Sequence, residues 1–261
     1  MSNPLLGPDD PAPVIAVNPG GASAFLLLGD HAGRAIPHRL GDLGLPPREV
    51  ERHIAWDIGV AALGDRLATA LDAAFIRQAY SRLVIDCNRR PDAVDAAPAV
   101  SDGTPIPANA ELSGADVAAR REAIYAPYHD HIAAVLDQRA ALGRPTALFC
   151  LHSFTPEFGG VPRSWRFGVL HRGDSALSRW MLALLRDALG EAVGDNQPYA
   201  MDTVDNTVPL HADPRGLDYL ELEVRQDLIA DEAGQTEVAA LLAGLLAQAL
   251  PHAQARNPSR P

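Results

Sequence analysis

Cysteine is scarce in this chain of 261 residues: Cys87 and Cys150 are the two it has. So few thiols in a chain this long exclude a disulfide-stapled scaffold. Both read as reduced, buried thiols, which pack like small hydrophobes, with a place in the lining of a site as the alternative. Positive charge is also short, with 22 Lys+Arg against 33 Asp+Glu, a net charge of -11 and a pI near 5.2. Nucleic-acid binding needs a basic patch or stripe, so that class is set aside. No segment approaches ~18 uninterrupted apolar residues, and no membrane span is expected on that ground. Met1 to Asp10 carries neither a basic start nor a long apolar run, so no signal peptide is expected. A soluble cytoplasmic protein is the resulting expectation.

Hydrophobic residues make up 47% of the chain, enough for a sizeable core without staples. The length fits one domain over 1–261, with flexible ends over 1–13 and 255–261. Short strands are expected at 14–17, 25–28, 74–79, 82–87, 146–152, 165–171 and 219–224. Helices are expected at 48–54, 57–72, 116–142, 175–189 and 236–253. Asp57 is placed to cap the second of these, and Pro127 to kink or break the third. Residues 91–113 and 195–213 read as long loops. Strand and helix alternate throughout, so the architecture is an α/β three-layer α/β/α sandwich.

Three apolar runs end in polar residues. Ala24-Phe-Leu-Leu-Leu-Gly-Asp-His31 ends in Asp30 and His31, and Thr146-Ala-Leu-Phe-Cys-Leu-His-Ser153 ends in His152. Ser81-Arg-Leu-Val-Ile-Asp-Cys-Asn-Arg-Arg90, read as a strand through Leu83, Val84 and Ile85, ends in Asp86, Asn88 and Arg89. Ligands of open α/β sheets bind outside the carboxyl ends of the strands, so these residues converge on one rim. His31 and His152 are candidate zinc ligands, since neutral imidazole suits that ion and a catalytic site keeps three protein ligands. Asp57 is the choice for the third, against its reading as a helix cap. Asp30 is the alternative, either as ligand or as a carboxylate orienting His31.

The remaining roles follow from donor geometry. Arg89 offers a carboxylate two parallel hydrogen bonds, with Asn88 beside it. Glu221 and Glu223 share a face of the last strand. Glu223 is nearer its carboxyl end and is assigned as general acid/base, with Glu221 deeper or paired with Arg225. His211 either lines the site and stabilises an oxyanion or is a solvated loop histidine. Tyr199 and Asn196 either bind substrate or make turn contacts. Arg82 and Arg215 are further cations in reach of a second substrate carboxylate.

On Asp30-His31-Ala-Gly33 with Pro37, Ala55-Trp-Asp57, Tyr80 to Arg89, Leu151-His-Ser-Phe154, Gly194-Asp-Asn196 with Tyr199, and Glu221 to Asp227, the sequence resembles the N-formylglutamate amidohydrolase family over nearly its whole length. The Asp86-Cys-Asn-Arg89 element is also similar to one in aspartoacylases and zinc carboxypeptidases. The resemblance implies a mixed central sheet of the zinc-carboxypeptidase kind and one Zn2+ per chain on His31 and His152. It also implies a carboxylate clamp of Asn88 and Arg89, and Glu223 as base. One departure is plain: the carboxypeptidase group carries Glu three residues after its first His, and this chain has Arg34. The implied reaction is hydrolysis of a small acidic N-acyl amino acid, N-formyl-L-glutamate first among them. The competing readings are a metal-independent acyl hydrolase using Ser153 or Cys150, which lacks a Gly-x-Ser-x-Gly elbow, and a non-catalytic anion-binding protein.

Overall fold

Buried strands in this chain carry apolar side chains on both faces, as expected where helices cover both sides of a sheet. In a computed structural model, which describes residues 4–201 and 205–253, the order begins with β1 (Val14–Val17), β2 (Phe25–Gly29), α1 (Pro47–Val50), α2 (Val60–Leu71) and β3 (Ala74–Gln78). A small hairpin follows, β4 (Val100–Ser101) with β5 (Thr104–Pro105), and then α3 (Gly114–Arg120) and α4 (Ala126–Ala141). The chain continues with β6 (Ala147–Phe154), a second small hairpin of β7 (Glu157–Phe158) and β8 (Val161–Pro162), and β9 (Phe167–Leu170). It closes with α5 (Ala176–Leu189), β10 (Val193–Asp195), α6 (Thr207–His211), β11 (Asp218–Arg225) and α7 (Glu232–Ala249).

Seven strands form one mixed sheet in the order β1-β3-β2-β6-β11-β9-β10. The four central strands β3, β2, β6 and β11 are parallel, whereas β1 and β9 run antiparallel to their neighbours β3 and β11. The expected α/β/α sandwich with a mixed sheet is therefore the architecture observed. Alternation along β2 divides the core: Phe25 and Leu27 point to one side, Leu26 and Leu28 to the other. On the first side Leu63 and Leu67 of α2, Leu177 and Met181 of α5, and Leu242 and Leu246 of α7 close the layer. On the second, Tyr128, Ile132 and Leu136 of α4 pack with Leu148, Cys150 and Tyr219. Helix α7 with its short extension, Glu232–His252, is 21 residues long with mean hydropathy 1.2, long and apolar enough by composition to cross a membrane. Val238, Leu242, Leu246 and Ala249 of this helix lie in the core.

Several sequence expectations change in detail. Residues 82–87 are not a strand. They form a turn-rich segment after β3 and take no place in the sheet. Leu83, Val84 and Ile85 are nonetheless buried, against the α4 side. A short apolar run reports burial, not extension. Polar side chains take the backbone away from a ladder here: Ser81 Oγ accepts from Leu83 N at 3.1 Å, and Asp86 Oδ1 accepts from Asn88 N at 2.8 Å.

Asp57 does not cap α2, which starts at Val60 with Gly59 before it at φ 85. A Cβ on Gly59 would lie 2.3 Å from Ile229 O, so both the left-handed backbone and the close approach require glycine. The 116–142 helix is continuous from α3 to α4 but contains a π-helical turn over Arg121–Tyr125, directly before Pro127. The turn absorbs the proline without ending the helix. The loop at 91–113 holds the β4–β5 hairpin, and that at 195–213 holds α6. The expected flexible ends fall partly on 1–3 and 255–261, outside the described residues.

Candidate active site

The carboxyl ends of β2, β6 and β11 and the loop after β3 meet at one rim and enclose a cavity of about 280 Å³. Its wall includes His31, His53, Asp57, Arg82, Asn88 and Arg89, together with His152, Tyr199, Asp205, Glu221 and Glu223. His31 leaves β2 through the turn Asp30-His31-Ala32-Gly33. A Cβ on Gly33 would fall 2.2 Å from Ala79 O, so glycine lets this turn press against the loop after β3. That contact is fixed by Ala35 N donating to Ala79 O and Ser81 N to Ala35 O. Asp57 is drawn in by its own N–H, which donates to His31 O at 2.8 Å. Ala55 O accepts from Arg82 N and from Ser81 Oγ, tying the Ala55-Trp-Asp57 segment to the loop.

His31, Asp57 and His152 each offer a donor atom within 4.8 Å of the others, and all three are buried. Asp57 Oδ2 lies 3.0 Å from His152 Nδ1 and 3.5 Å from His31 Nδ1. His31 Nε2 lies 2.6 Å from Asp86 Oδ1, and His152 Nε2 lies 3.7 Å from Asp30 Oδ2. The His31 imidazole thus has its second nitrogen held by a carboxylate, the arrangement that orients metal-ligating histidines, whereas His152 Nε2 makes no hydrogen bond among the described residues. The carboxylate behind His31 is Asp86, not Asp30. Asp30 faces His152 and accepts from Tyr128 Oη at 2.8 Å.

Electrostatics test the donor set for a cation. Burial and Arg82 push the His31 imidazole down, yet Asp86 and Asp57 outweigh them and the net shift is upward. Burial likewise opposes charge on His152, but Asp57 raises it to about 10. Asp86 is held well below the usual carboxylate range: burial opposes ionisation, and Arg82 and His31 prevail. The pocket therefore favours positive charge among its carboxylates. His31 Nδ1 is buried without a hydrogen-bond partner. Two imidazoles and a carboxylate suit a divalent ion such as zinc.

Opposite this group, Glu223 pairs in register with His152 across the parallel strands β11 and β6. Burial raises its carboxyl to about 7, against the pull of His152. Glu221 lies two residues deeper and is raised well above its ordinary value, by burial first and by Asp205 second. It does not pair with Arg225, which instead binds Asp227 at 2.8 Å. Arg82 Nη2 donates to Asp86 Oδ2 at 2.6 Å, with Nη1 3.7 Å from Asp57 Oδ1.

Asn88 is held rigidly. Its Oδ1 accepts from Asn206 N at 3.0 Å and Thr207 N at 2.9 Å, at the start of α6. Its Nδ2 points to Asp205 Oδ1 at 3.4 Å. Arg89 bonds Asp95 at 3.0 Å and its neighbour's carbonyl, Asn88 O, at 3.0 Å.

Three expected residues lie elsewhere. Arg215 pairs with Asp137 at 2.7 Å, away from the cavity. Asn196 makes the turn contact, its Oδ1 accepting from His171 N at 2.9 Å. His211 is neither in the cavity wall nor solvated: it is buried, with Nε2 2.9 Å from His129 Nδ1. His129 Nε2 lies 2.9 Å from Cys87 O, so it carries the proton and donates. Its Nδ1 then accepts from His211, and both rings are neutral. This chain braces the peptide beside Asn88 from behind.

His53 and Asp205 line the cavity but gave no signal in the sequence, since neither stands in an apolar run that ends at the rim. Ser153 Oγ donates to Ile58 O at 2.9 Å, and burial keeps the Cys150 thiol far above its ordinary value, so neither is set up as a nucleophile.

A family model described as N-formylglutamate amidohydrolase matches residues 23–230. A crystal structure of a gene product from Agrobacterium tumefaciens is 37% identical, covering 95% of this chain and 98% of that one, with a TM-score of 0.91. N-formylglutamate amidohydrolase from Ralstonia eutropha is 20% identical, covering 92% of this chain and 98% of that one, with a TM-score of 0.70, a likeness of fold. A search among curated proteins gave no significant match.

Proposed function

The chain is an amidohydrolase of the N-formylglutamate amidohydrolase family, and on that premise we propose that it hydrolyses the N-acyl amide of a small acidic N-acyl amino acid, N-formyl-L-glutamate first, in a zinc-dependent reaction. The observation that supports this reading most is the shared cavity of His31, Asp57, His152, Glu223, Asn88 and Arg89. His31, Asp57 and His152 are the residues that would hold the metal. Bound there, zinc supplies Lewis acidity and makes a water acidic enough to attack at neutral pH.

The chain's own groups do the rest. Arg89 and the Asn88 amide bind the α-carboxylate and place the scissile amide over the buried floor of the cavity. Glu223 accepts a proton from the attacking water, for which a carboxyl raised to about 7 is suited. It then returns that proton to the amine nitrogen as the C–N bond breaks, so that formate and L-glutamate leave. Arg82, locked by Asp86, keeps a fixed positive charge in the wall where negative charge develops on the carbonyl oxygen. The deciding experiment is release of acid and amine from N-formyl-, N-acetyl- and N-succinyl-amino acids by protein purified without chelator, with metal content measured alongside. Hydrolysis of none of them by zinc-loaded protein would overturn the proposal.

A further inference from the structure

An acidic N-acyl amino acid carries two carboxylates, and the clamp at Arg89 accounts for one. The chain has no lysine, so every fixed side-chain cation is an arginine. Around the cavity the others are already committed. Arg82 is held by Asp86 at 2.6 Å, and Arg89, beside Asp95 at 3.0 Å and Asp205 at 3.8 Å, is the one assigned to the α-carboxylate. Arg215 lies away from the cavity with Asp137.

Arg163 differs. It follows the β7–β8 hairpin and makes no ion pair among the described residues. Its guanidinium carbon sits over three rings, 4.8 Å from the Tyr199 centroid, 4.9 Å from Phe158 and 5.8 Å from Phe154. Nη1 donates to Tyr199 Oη at 3.0 Å and to Thr155 O at 3.4 Å. Nε and Nη2 make no hydrogen bond among the described residues and are not among the buried polar atoms left unpaired. Stacking on aromatic faces holds a guanidinium in place without neutralising it and leaves its edge free. Phe154, Thr155 and Tyr199 are themselves part of the cavity wall.

We propose that Arg163 is a specificity-determining residue that receives the side-chain carboxylate of the substrate on its Nε–Nη2 edge at the mouth of the cavity. The proposal rests on the reading of the site as one for acidic N-acyl amino acids. A neutral amide in the same place could accept hydrogen bonds but would leave the charge unmatched. The enzyme would therefore favour a glutamate-like side chain over a glutamine-like one. Because Tyr199 Oη accepts from Arg163, the tyrosine's own proton remains available to the same ligand.

The test compares N-formyl-L-glutamate with N-formyl-L-glutamine in the wild-type enzyme, Arg163→Gln and Arg163→Lys. Titration calorimetry with glutarate and its monoamide is run on the same proteins. Arg163→Gln is expected to raise KM for the glutamate substrate by about tenfold or more, the scale of a lost charge-assisted pair, with little change in kcat. The loss on the glutamine substrate should be about threefold or less, and glutarate binding should weaken more than monoamide binding. Arg163→Lys should recover part of the difference, since it restores the charge without the fork. Equal losses on both substrates, or none, would overturn the proposal. If the wild type releases formate from neither substrate, the reading of its function fails instead. Unchanged glutarate affinity in Arg163→Gln would then still overturn the role of Arg163.

Discussion

Glu223 and His152 stand directly opposite each other on the adjacent parallel strands β11 and β6, and both face the α4 side of the sheet. Strand register therefore sets the distance between the candidate base and a candidate metal ligand, and no loop has to place either of them. Sites built on strands are held more tightly than sites on loops. The weight of the arrangement falls on a few side chains, each of which makes a separate expectation.

His31→Ala and His152→Ala should each abolish zinc binding while leaving the fold intact, because both sit at the ends of strands whose apolar residues remain. Asp57→Ala should weaken binding, and Asp86→Asn should do so by about 10- to 100-fold through loss of the carboxylate behind His31. Elemental analysis with circular dichroism checks this. Stoichiometric zinc in the His31/His152 double variant would remove both from the ligand set.

Glu223→Gln keeps the side chain's shape and removes its basicity. The expected outcome is a fall in kcat of at least ~10²-fold with zinc retained. Glu221→Gln should cost less, since its carboxyl lies deeper. An active Glu223→Gln enzyme with a crippled Glu221→Gln would move the base one same-face step down β11.

Arg89→Lys replaces a fork by a point charge. KM for N-formyl-L-glutamate should rise sharply, and the penalty should shrink for the corresponding α-amide. Steady-state kinetics on both substrates decide the point. Equal penalties would make Arg89 a structural partner of Asp95.

His129 and His211 bear on stability. Burial lowers both imidazoles, and His211, which also feels His129, falls to about 3. Unfolded, each titrates near 6.5, so below that pH the unfolded chain binds more protons than the folded one. The stabilisation from keeping them neutral is thus present above about 6.5 and lost as pH falls toward 3, at up to about 1.4 kcal/mol per unit for one group. Urea unfolding at pH 8 and pH 5.5 measures it. In His211→Gln, which cannot titrate, the drop between the two pH values should be smaller than in the wild type. An equal drop would place the acid sensitivity elsewhere.

Much of the site was legible because strand ends obey a simple rule. His31, His152 and Glu223 close apolar runs, and in a parallel sheet such ends share one rim. Asp57 was legible only as a choice between cap and ligand, and setting the cap aside needed the structure, in which α2 starts at Val60 and the loop after β3 ties Ala55 to Arg82. The same logic misled at Leu83 to Ile85, where burial was real and extension was not. His211 was noticed for its chemistry but turned to the wrong side. Nothing in Pro162-Arg163-Ser164 marks a cation stacked beside the cavity, since its three stacking rings lie 5 to 36 positions away in sequence.

The sequence by itself determined the layers of the sandwich, the rim on which the chemistry lies and the residue types available there, because hydrophobic periodicity and strand ends are local properties. Tertiary structure alone decided which carboxylate stands behind which imidazole, which arginines are already neutralised and which histidines face the cavity. Those are relations between side chains brought together from distant parts of the chain, and no local pattern carries them.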